Sequence, residues 1–305
     1  MERAPDDVLL ITGGNGLLGT KLIELCLRSG RARPVSASRQ PCSNGFLGAF
    51  DFFQVDVAEA RATTELLERV RPRRVVHTAA MTDVDGCERA PEAAWRANVE
   101  GAASVARACR AVGAHLVHLS TEYVFDGRAG PYSEDDPTNP ISVYGRTKLE
   151  SEMIVRESCP GAAVARTTVL YGYAPNVRPN FVIWLVGQLR AGQPVRVVDD
   201  QIGSPTLADN LAEMCLALAL GGASGVYHTV GADRLDRHAF ARIVAEVFRL
   251  DAELIGPVST ASLNQAAPRP LRAGLRTEKL RRDFPDVPVL GAREGLEVLR
   301  EQLPG

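Results

Sequence analysis

Lysine is almost missing from this chain. Lys21, Lys148 and Lys279 are the only three among 35 basic residues, and all the others are arginine. Arginine-favouring codons of a GC-rich genome account for such an excess, so most of the arginines carry little individual meaning. The three exceptions ask for a reason. Charge of one sign is lacking too: 35 basic residues face 37 acidic ones, a formal net charge of −2 with no basic block. That balance excludes the electrostatic platform that nucleic-acid binding needs. Long apolar runs are absent. Phe181–Val186 and Met214–Leu220 are among the longest, far short of the roughly 20 residues that span a bilayer. Met1–Asp7 is charged and polar, and no secretory apolar core with a small-residue cleavage site follows it. The six cysteines (Cys26, Cys42, Cys87, Cys109, Cys159 and Cys215) are scattered, with no CxxC and no histidine at metal-ligand spacing. A disulfide scaffold and a zinc module are thereby excluded, and reduced thiols of a cytoplasmic protein are expected.

What is present is ordinary globular material: 305 residues, 45% hydrophobic and 24% charged. One large domain, or a domain with a smaller partner lobe, fits that length. Short apolar runs at Val8–Ile11, Pro34–Ser38, Phe52–Val55, Arg74–His77, His115–Leu119, Ala162–Leu170 and Gly225–Val230 read as strands. Helical patterns at Leu18–Arg28, Glu92–Val112 and Ile141–Glu157 alternate with them, which argues for βαβ units and a parallel sheet. Phe240, Ile243, Val244, Val247 and Phe248 then mark one face of an amphipathic helix. Ala266–Arg272 reads as a loop, and Thr277–Phe284 and Arg293–Leu303 as closing helices. The expected fold is α/β, a Rossmann-like doubly wound parallel sheet with a smaller C-terminal lobe. The NAD(P)-binding part takes residues 1–172 and 195–231, and the substrate-binding lobe takes 173–194 and 232–305.

Between the first strand and the first helix stands Thr12-Gly13-Gly14-Asn15-Gly16-Leu17-Leu18-Gly19. Glycines here permit a tight turn and let backbone approach a pyrophosphate at the helix N-terminus, where N–H groups and the dipole favour an anion. Gly13, Gly16, Leu17, Leu18 and Gly19 are accordingly candidate cofactor residues, although a glycine turn also simply joins strand to helix. An NAD-binding chain places an acid at the end of the second strand for the ribose 2′-hydroxyl. This one reads Ser36-Ala37-Ser38-Arg39. A guanidinium at that point can grip a 2′-phosphate in bidentate fashion, so Ser38 and Arg39 favour NADPH, with NADH the alternative. Asp56, after the third strand, is placed to reach an adenine amino group.

Tyr144-Gly145-Arg146-Thr147-Lys148 puts a phenol and an amine one helical turn apart. A cation beside a tyrosine favours the phenolate and lowers a pKa ordinarily near 10, which suits proton exchange with a carbonyl oxygen. In a chain so poor in lysine, chance alone yields a Tyr-x-x-x-Lys about 6% of the time. The preceding strand ends in Ser120-Thr121-Glu122, a hydroxyl pair at the sheet edge where open α/β folds bind ligands. Thr121 is the candidate for the reacting oxygen, while Ser120 serves equally well to satisfy local backbone.

Taken together, the glycine turn, Thr121, Tyr144 and Lys148 resemble the extended short-chain dehydrogenases/reductases. Finer motifs resemble the dTDP-4-dehydrorhamnose reductases among them: Ala79-Ala80-Met81-Thr82-Asp83-Val84-Asp85, Ser120 to Phe125, Val143 to Leu149, Asp200-Gln201-Ile202-Gly203-Ser204-Pro205-Thr206, and Arg269-Pro270 followed by Leu275 to Lys279. The resemblance implies an NAD(P)H-dependent reductase of a nucleotide-linked 4-keto-6-deoxy sugar, in deoxysugar biosynthesis. It makes Tyr144 the proton donor, Lys148 the ligand of the nicotinamide ribose, and Thr121 the helper at the sugar C4 carbonyl. Val57, Ala79, Ala80, Met81 and Thr82 would line the cofactor with Asp56, and Asn98 would support that backbone. Glu122 and Val169 fall at substrate positions, and Arg269 is a candidate for the nucleotide diphosphate.

Three departures from the family pattern matter. Glu122 replaces an aspartate and is one methylene longer. Val169 stands where a tryptophan often packs on the sugar, which leaves a product other than rhamnose open. Lys21 occupies the position where some members carry a metal-binding acid, so no metal is expected. Partners are then a nucleotide sugar and, in a homodimer, a second copy of the chain, without nucleic acid or membrane. Two alternatives stand beside the reductase. One is a nucleotide-sugar epimerase; a 4,6-dehydratase would need a second carboxylate where Tyr123 stands. The other is a non-catalytic subunit resembling the regulatory β subunit of methionine adenosyltransferase, which Val124 to Gly127 and Leu170-Tyr171-Gly172 also resemble.

Overall fold

The computed structural model describes residues 7–43 and 48–303; the N-terminal stretch read for a leader, Asp7 apart, lies outside the described residues. Seven parallel strands build the central sheet: β1 (Val8–Thr12), β2 (Arg33–Ser38), β3 (Asp51–Gln54), β4 (Arg74–His77), β5 (His115–Thr121), β6 (Ala163–Thr167) and β7 (Gly225–His228). Their order across the sheet is β7-β6-β5-β4-β1-β2-β3. Strands such as β1 are buried throughout, because a parallel sheet is covered on both faces and so selects continuous apolar runs. Chain progression reverses between β1 and β4, where Thr12 lies opposite His77. Open sheets bind their ligands at such a switch point.

Among the described residues, six helices belong to the first part of the chain: α1 (Leu17–Ser29), α2 (Ala60–Val70), α3 (Val84–Arg89), α4 (Pro91–Trp95), α5 (Gly101–Val112) and α6 (Val143–Ser158). Five follow: α7 (Phe181–Arg190), α8 (Ala208–Leu220), α9 (Arg237–Phe248), α10 (Glu278–Asp283) and α11 (Ala292–Gln302). On one sheet face Leu22, Ile23, Leu211 and Met214 of α1 and α8 pack on Leu9 and Ile11. On the other, Leu67, Val105 and Val155 of α2, α5 and α6 pack on Leu10 and Leu116. A further core joins α7, α9 and α11 through Leu185, Phe240, Val244 and Leu296. Each such side chain contributes about 1.5–3 kcal/mol by leaving water. Among the described residues no helix is long and apolar enough to cross a membrane.

Three expectations differ in detail. The strand read over Ala162–Leu170 ends at Thr167, and Leu170–Tyr171 pairs instead with Thr206–Leu207. Thr168 and Val169 are thereby released from the sheet. The helix read over Glu92–Val112 is interrupted by a wide π-helical turn, Arg96–Glu100. Val195–Val198, grouped above with the nucleotide-binding part, pairs with Ile255–Val258 and packs in the α7/α9/α11 core.

Candidate active site

The glycine turn is forced by close approach. Gly13 has φ +76°, and a Cβ there would stand 2.7 Å from the Ala79 nitrogen on the segment after β4. Its N–H donates to the Ala37 carbonyl at 2.7 Å, which ties β1 to β2. Gly16 caps α1 without any side-chain hydrogen bond, so no hydroxyl or carboxylate covers the first-turn N–H groups. Asn15 bridges outward. Its Nδ2 donates to the carbonyls of Gln40 (3.2 Å) and Pro41 (2.7 Å), its Oδ1 accepts from the Ser43 N–H (3.2 Å), and its own N–H donates to Ser38 Oγ (3.2 Å).

Arg39 follows β2 and faces the same cleft as Asp56. Burial alone would raise the Asp56 carboxyl, but the Ala58 N–H, the Arg96 guanidinium and the charge of Arg39 together hold it below the usual range. Arg96 Nη1 lies 2.9 Å from Asp56 Oδ2, and the Ala58 N–H reaches Oδ1 at 3.1 Å. The acid expected at the adenine therefore arrives already paired.

At the other end of the cleft, Ser142 caps α6 by accepting from the Gly145 N–H at 3.2 Å. This fixes Tyr144 and Lys148 in its first turns. The Lys148 ammonium is buried; it donates to the Leu119 carbonyl at 2.6 Å and lies 3.4 Å from His118 Nε2. Burial brings its pKa down to about 8. His118 Nε2 also lies 2.9 Å from Ser151 Oγ, and its ring stacks on His77 with centroids 5.3 Å apart. Burial and the neighbouring lysine hold both imidazoles neutral, His77 at about 3. Tyr144 departs from expectation. Burial pushes its phenol well above the usual range, and only a hydrogen bond with Thr121 opposes that. The amine of Lys148 is turned onto Leu119, so the expected depression of the tyrosine is not seen. Ser120 donates to the Glu152 carboxylate, which also receives Arg166 Nε at 2.9 Å and Nη2 at 2.7 Å in a buried bidentate pair. Its hydroxyl is therefore neither a backbone cap nor free for the reacting oxygen.

These parts surround one cleft of about 940 Å³. Every residue expected at the cofactor lines it except Asn98, together with Tyr144, Lys148, Thr121 and Val169. Asn98 sits in the π-helical turn behind the wall. It accepts from the Met81 N–H at 2.7 Å and donates to the Met81 carbonyl and Thr147 Oγ1. It holds the Ala80–Met81 backbone instead of touching a ligand. Glu122, expected at the sugar, is also outside the lining. Its buried carboxylate accepts from Thr168 Oγ1 and from the Gly274 N–H (3.1 Å), and burial raises its pKa. Arg269, expected at the diphosphate, is spent on Asp85 at 2.9 Å and on the Ala267 carbonyl. Lys21 is buried, its amine between Glu24, Asp209 and Gln302, linking α1 to α8 and α11. Several lining residues were not singled out from the sequence, Tyr123, Phe181 and Arg237 among them. Tyr123 meets Tyr144 edge-on at 5.5 Å. Only its position next to Glu122 hinted at it, and Arg237 had no signal among so many arginines.

A doubly wound parallel sheet with a glycine turn at one end of its cleft and a Tyr/Lys/Thr group at the other defines a Rossmann-type α/β protein. Within that class, the chain belongs to the family described as RmlD substrate binding domain, which matches residues 7–299. It is 38% identical to dTDP-4-dehydrorhamnose reductase of Mycobacterium tuberculosis over 268 residues, 86% of this chain and 82% of the relative. It is 30% identical to methionine adenosyltransferase 2 subunit beta of Danio rerio over 287 residues, 89% and 83% of the two chains. Among solved structures, dTDP-4-dehydrorhamnose reductase from Bacillus anthracis in complex with NADP superposes with a TM-score of 0.88 at 29% identity, covering 98% of this chain and 100% of that one.

Proposed function

We propose that this chain is an extended short-chain dehydrogenase/reductase that reduces the C4 ketone of a nucleotide-linked 4-keto-6-deoxy sugar with NADPH. The supporting observation is the convergence of Thr121, Tyr144, Lys148 and the glycine turn on one cleft, in a chain similar to reductases along most of its length. The residues suit a dinucleotide. Gly13 leaves no room for a side chain, α1 opens without a side-chain cap, and Arg39 offers a fork for a 2′-phosphate. Bound NADPH supplies the hydride. Tyr144 gives its proton to the carbonyl oxygen as that oxygen gains charge, and Thr121 hydrogen-bonds the same atom. Lys148, cationic below about pH 8, takes the nicotinamide ribose. Val169 leaves the sugar side of the cleft open. A cytoplasmic location, a homodimer and the absence of a metal belong to the same proposal.

The test is NADPH oxidation against a panel of dTDP- and GDP-linked 4-keto sugars, with NMR of the product to fix its C4 configuration. Turnover of at least one dTDP-linked sugar is expected; no oxidation with any of them sinks the proposal. The similarity to a methionine adenosyltransferase subunit supports a second reading, a regulatory binding partner. Co-purification with such a synthetase, without NADPH oxidation on any keto sugar, would decide for it.

A further inference from the structure

Among the described residues three cations line the cleft: Arg39, Lys148 and Arg237. Arg39 lies beside Asp56 and acts on its charge, so it belongs to the adenosine end. Lys148 is committed to the Leu119 carbonyl. Arg237 is different. It is the first residue of α9, its backbone N–H donates to the Gln201 carbonyl at 3.1 Å, and Asp236 caps the helix by accepting from the Ala239 N–H. The residue is thus held firmly by its backbone. Its guanidinium carbon lies 5.6 Å from the centre of the Phe181 ring, which also faces the cleft. Among the described residues no carboxylate forms an ion pair with it; the acid whose charge it feels is Glu122, already taken by Thr168 and Gly274.

A partly buried guanidinium with donors unspent is unfavourable unless something anionic completes it. Stacking on an aromatic ring orients the planar fork and leaves its N–H groups for an anion in the cleft. We propose that Arg237 binds the diphosphate of the nucleotide-linked substrate, the task for which the sequence had pointed to Arg269. The inference rests on the nucleotide-sugar reading and deepens it. Arg237 is a substrate-binding group at the α9 side of the cleft, remote from the Arg39 end, and it sets a preference for the nucleotide-linked sugar over the free sugar.

The experiment compares wild type, Arg237→Met and Arg237→Lys in three measurements: KM for the nucleotide-linked keto sugar, dTDP affinity by calorimetry, and NADPH affinity by fluorescence. Losing a charge-assisted fork should weaken KM and dTDP affinity together by about 30-fold or more. The kcat and the NADPH affinity should stay within about threefold. Arg237→Lys should fall between, because an ammonium cannot present two parallel donors. Unchanged dTDP affinity in Arg237→Met overturns the inference, and so does a loss confined to NADPH, which would assign the arginine to the cofactor. The two levels fail separately. If the wild type oxidises NADPH with no keto sugar, the reductase proposal falls, while an Arg237-dependent dTDP affinity would still uphold the diphosphate site.

Discussion

Tyr144 sits in surroundings hostile to its own ionisation, and only the hydrogen bond with Thr121 works against them. Burial keeps the phenol protonated, which suits the proton donor proposed above. Tyr144→Phe should cut turnover about 100- to 10,000-fold while leaving NADPH affinity within about twofold, as separate kinetic and binding titrations would show. Lys148 carries the complementary burden. Its amine has a folded pKa of about 8 against an ordinary 10.5, so between those values the unfolded chain binds the extra proton. Stability therefore rises with pH through that window as the penalty of burying the charge is relieved. Lys148→Met should unfold at a higher temperature than wild type at pH 7, by about 1–3 kcal/mol. That advantage should shrink by pH 9.5, and activity should be lost at both. A variant less stable than wild type at pH 7 would show that the Leu119 and His118 contacts outweigh the buried charge.

The proposed catalytic pair is only as well placed as α6, and one glycine lets that helix approach. A Cβ at Gly145 would stand 2.2 Å from the Tyr123 carbonyl oxygen. Gly145→Ala must therefore push the first turn of α6, and Tyr144 with it, away from β5. A kcat loss of about 100-fold with NADPH affinity retained is the expected kinetic outcome, since small misplacements of reacting groups are costly. Alternation and amphipathic stripes made most of the sheet, α1 and α9 legible in the sequence. Helices α7 and α8 were passed over as mere apolar runs, for a physical reason. Nine positions of α8 are buried, so only Asp209 and Glu213 mark a narrow polar stripe, too little to reveal its period. The π-helical turn was equally invisible, because what makes it useful, the reach of Asn98 to Met81 and Thr147, is a contact between segments far apart in the chain.

Across the whole molecule, the cleft was legible where chemistry is distinctive at fixed spacing: glycines in a turn, a rare lysine four residues after a tyrosine. It was illegible where direction decides. Glu122 adjoins Thr121 in sequence yet turns into the seam with Gly274. Arg269 and Arg237 are indistinguishable until the fold gives one a carboxylate and the other a cavity. Because the cleft draws on β1, β2, β4, β5 and α6 together, occupying it should stabilise the fold as a unit. NADPH at about 100 times its Kd should add about 2.7 kcal/mol, a rise of a few degrees in Tm by calorimetry; NADH at equal concentration should add less. No rise with either nucleotide would contradict a dinucleotide site.

Asn15 gives that unit a further property. One side chain in the phosphate turn holds three backbone groups of the segment that follows Arg39. On the proposed reading, the turn that would take the pyrophosphate and the segment that would distinguish one nicotinamide nucleotide from another are braced by this one side chain. Because those bonds reach backbone only, the side chain at position 39 can be exchanged without loosening the turn, whereas loss of Asn15 would free the whole segment at once.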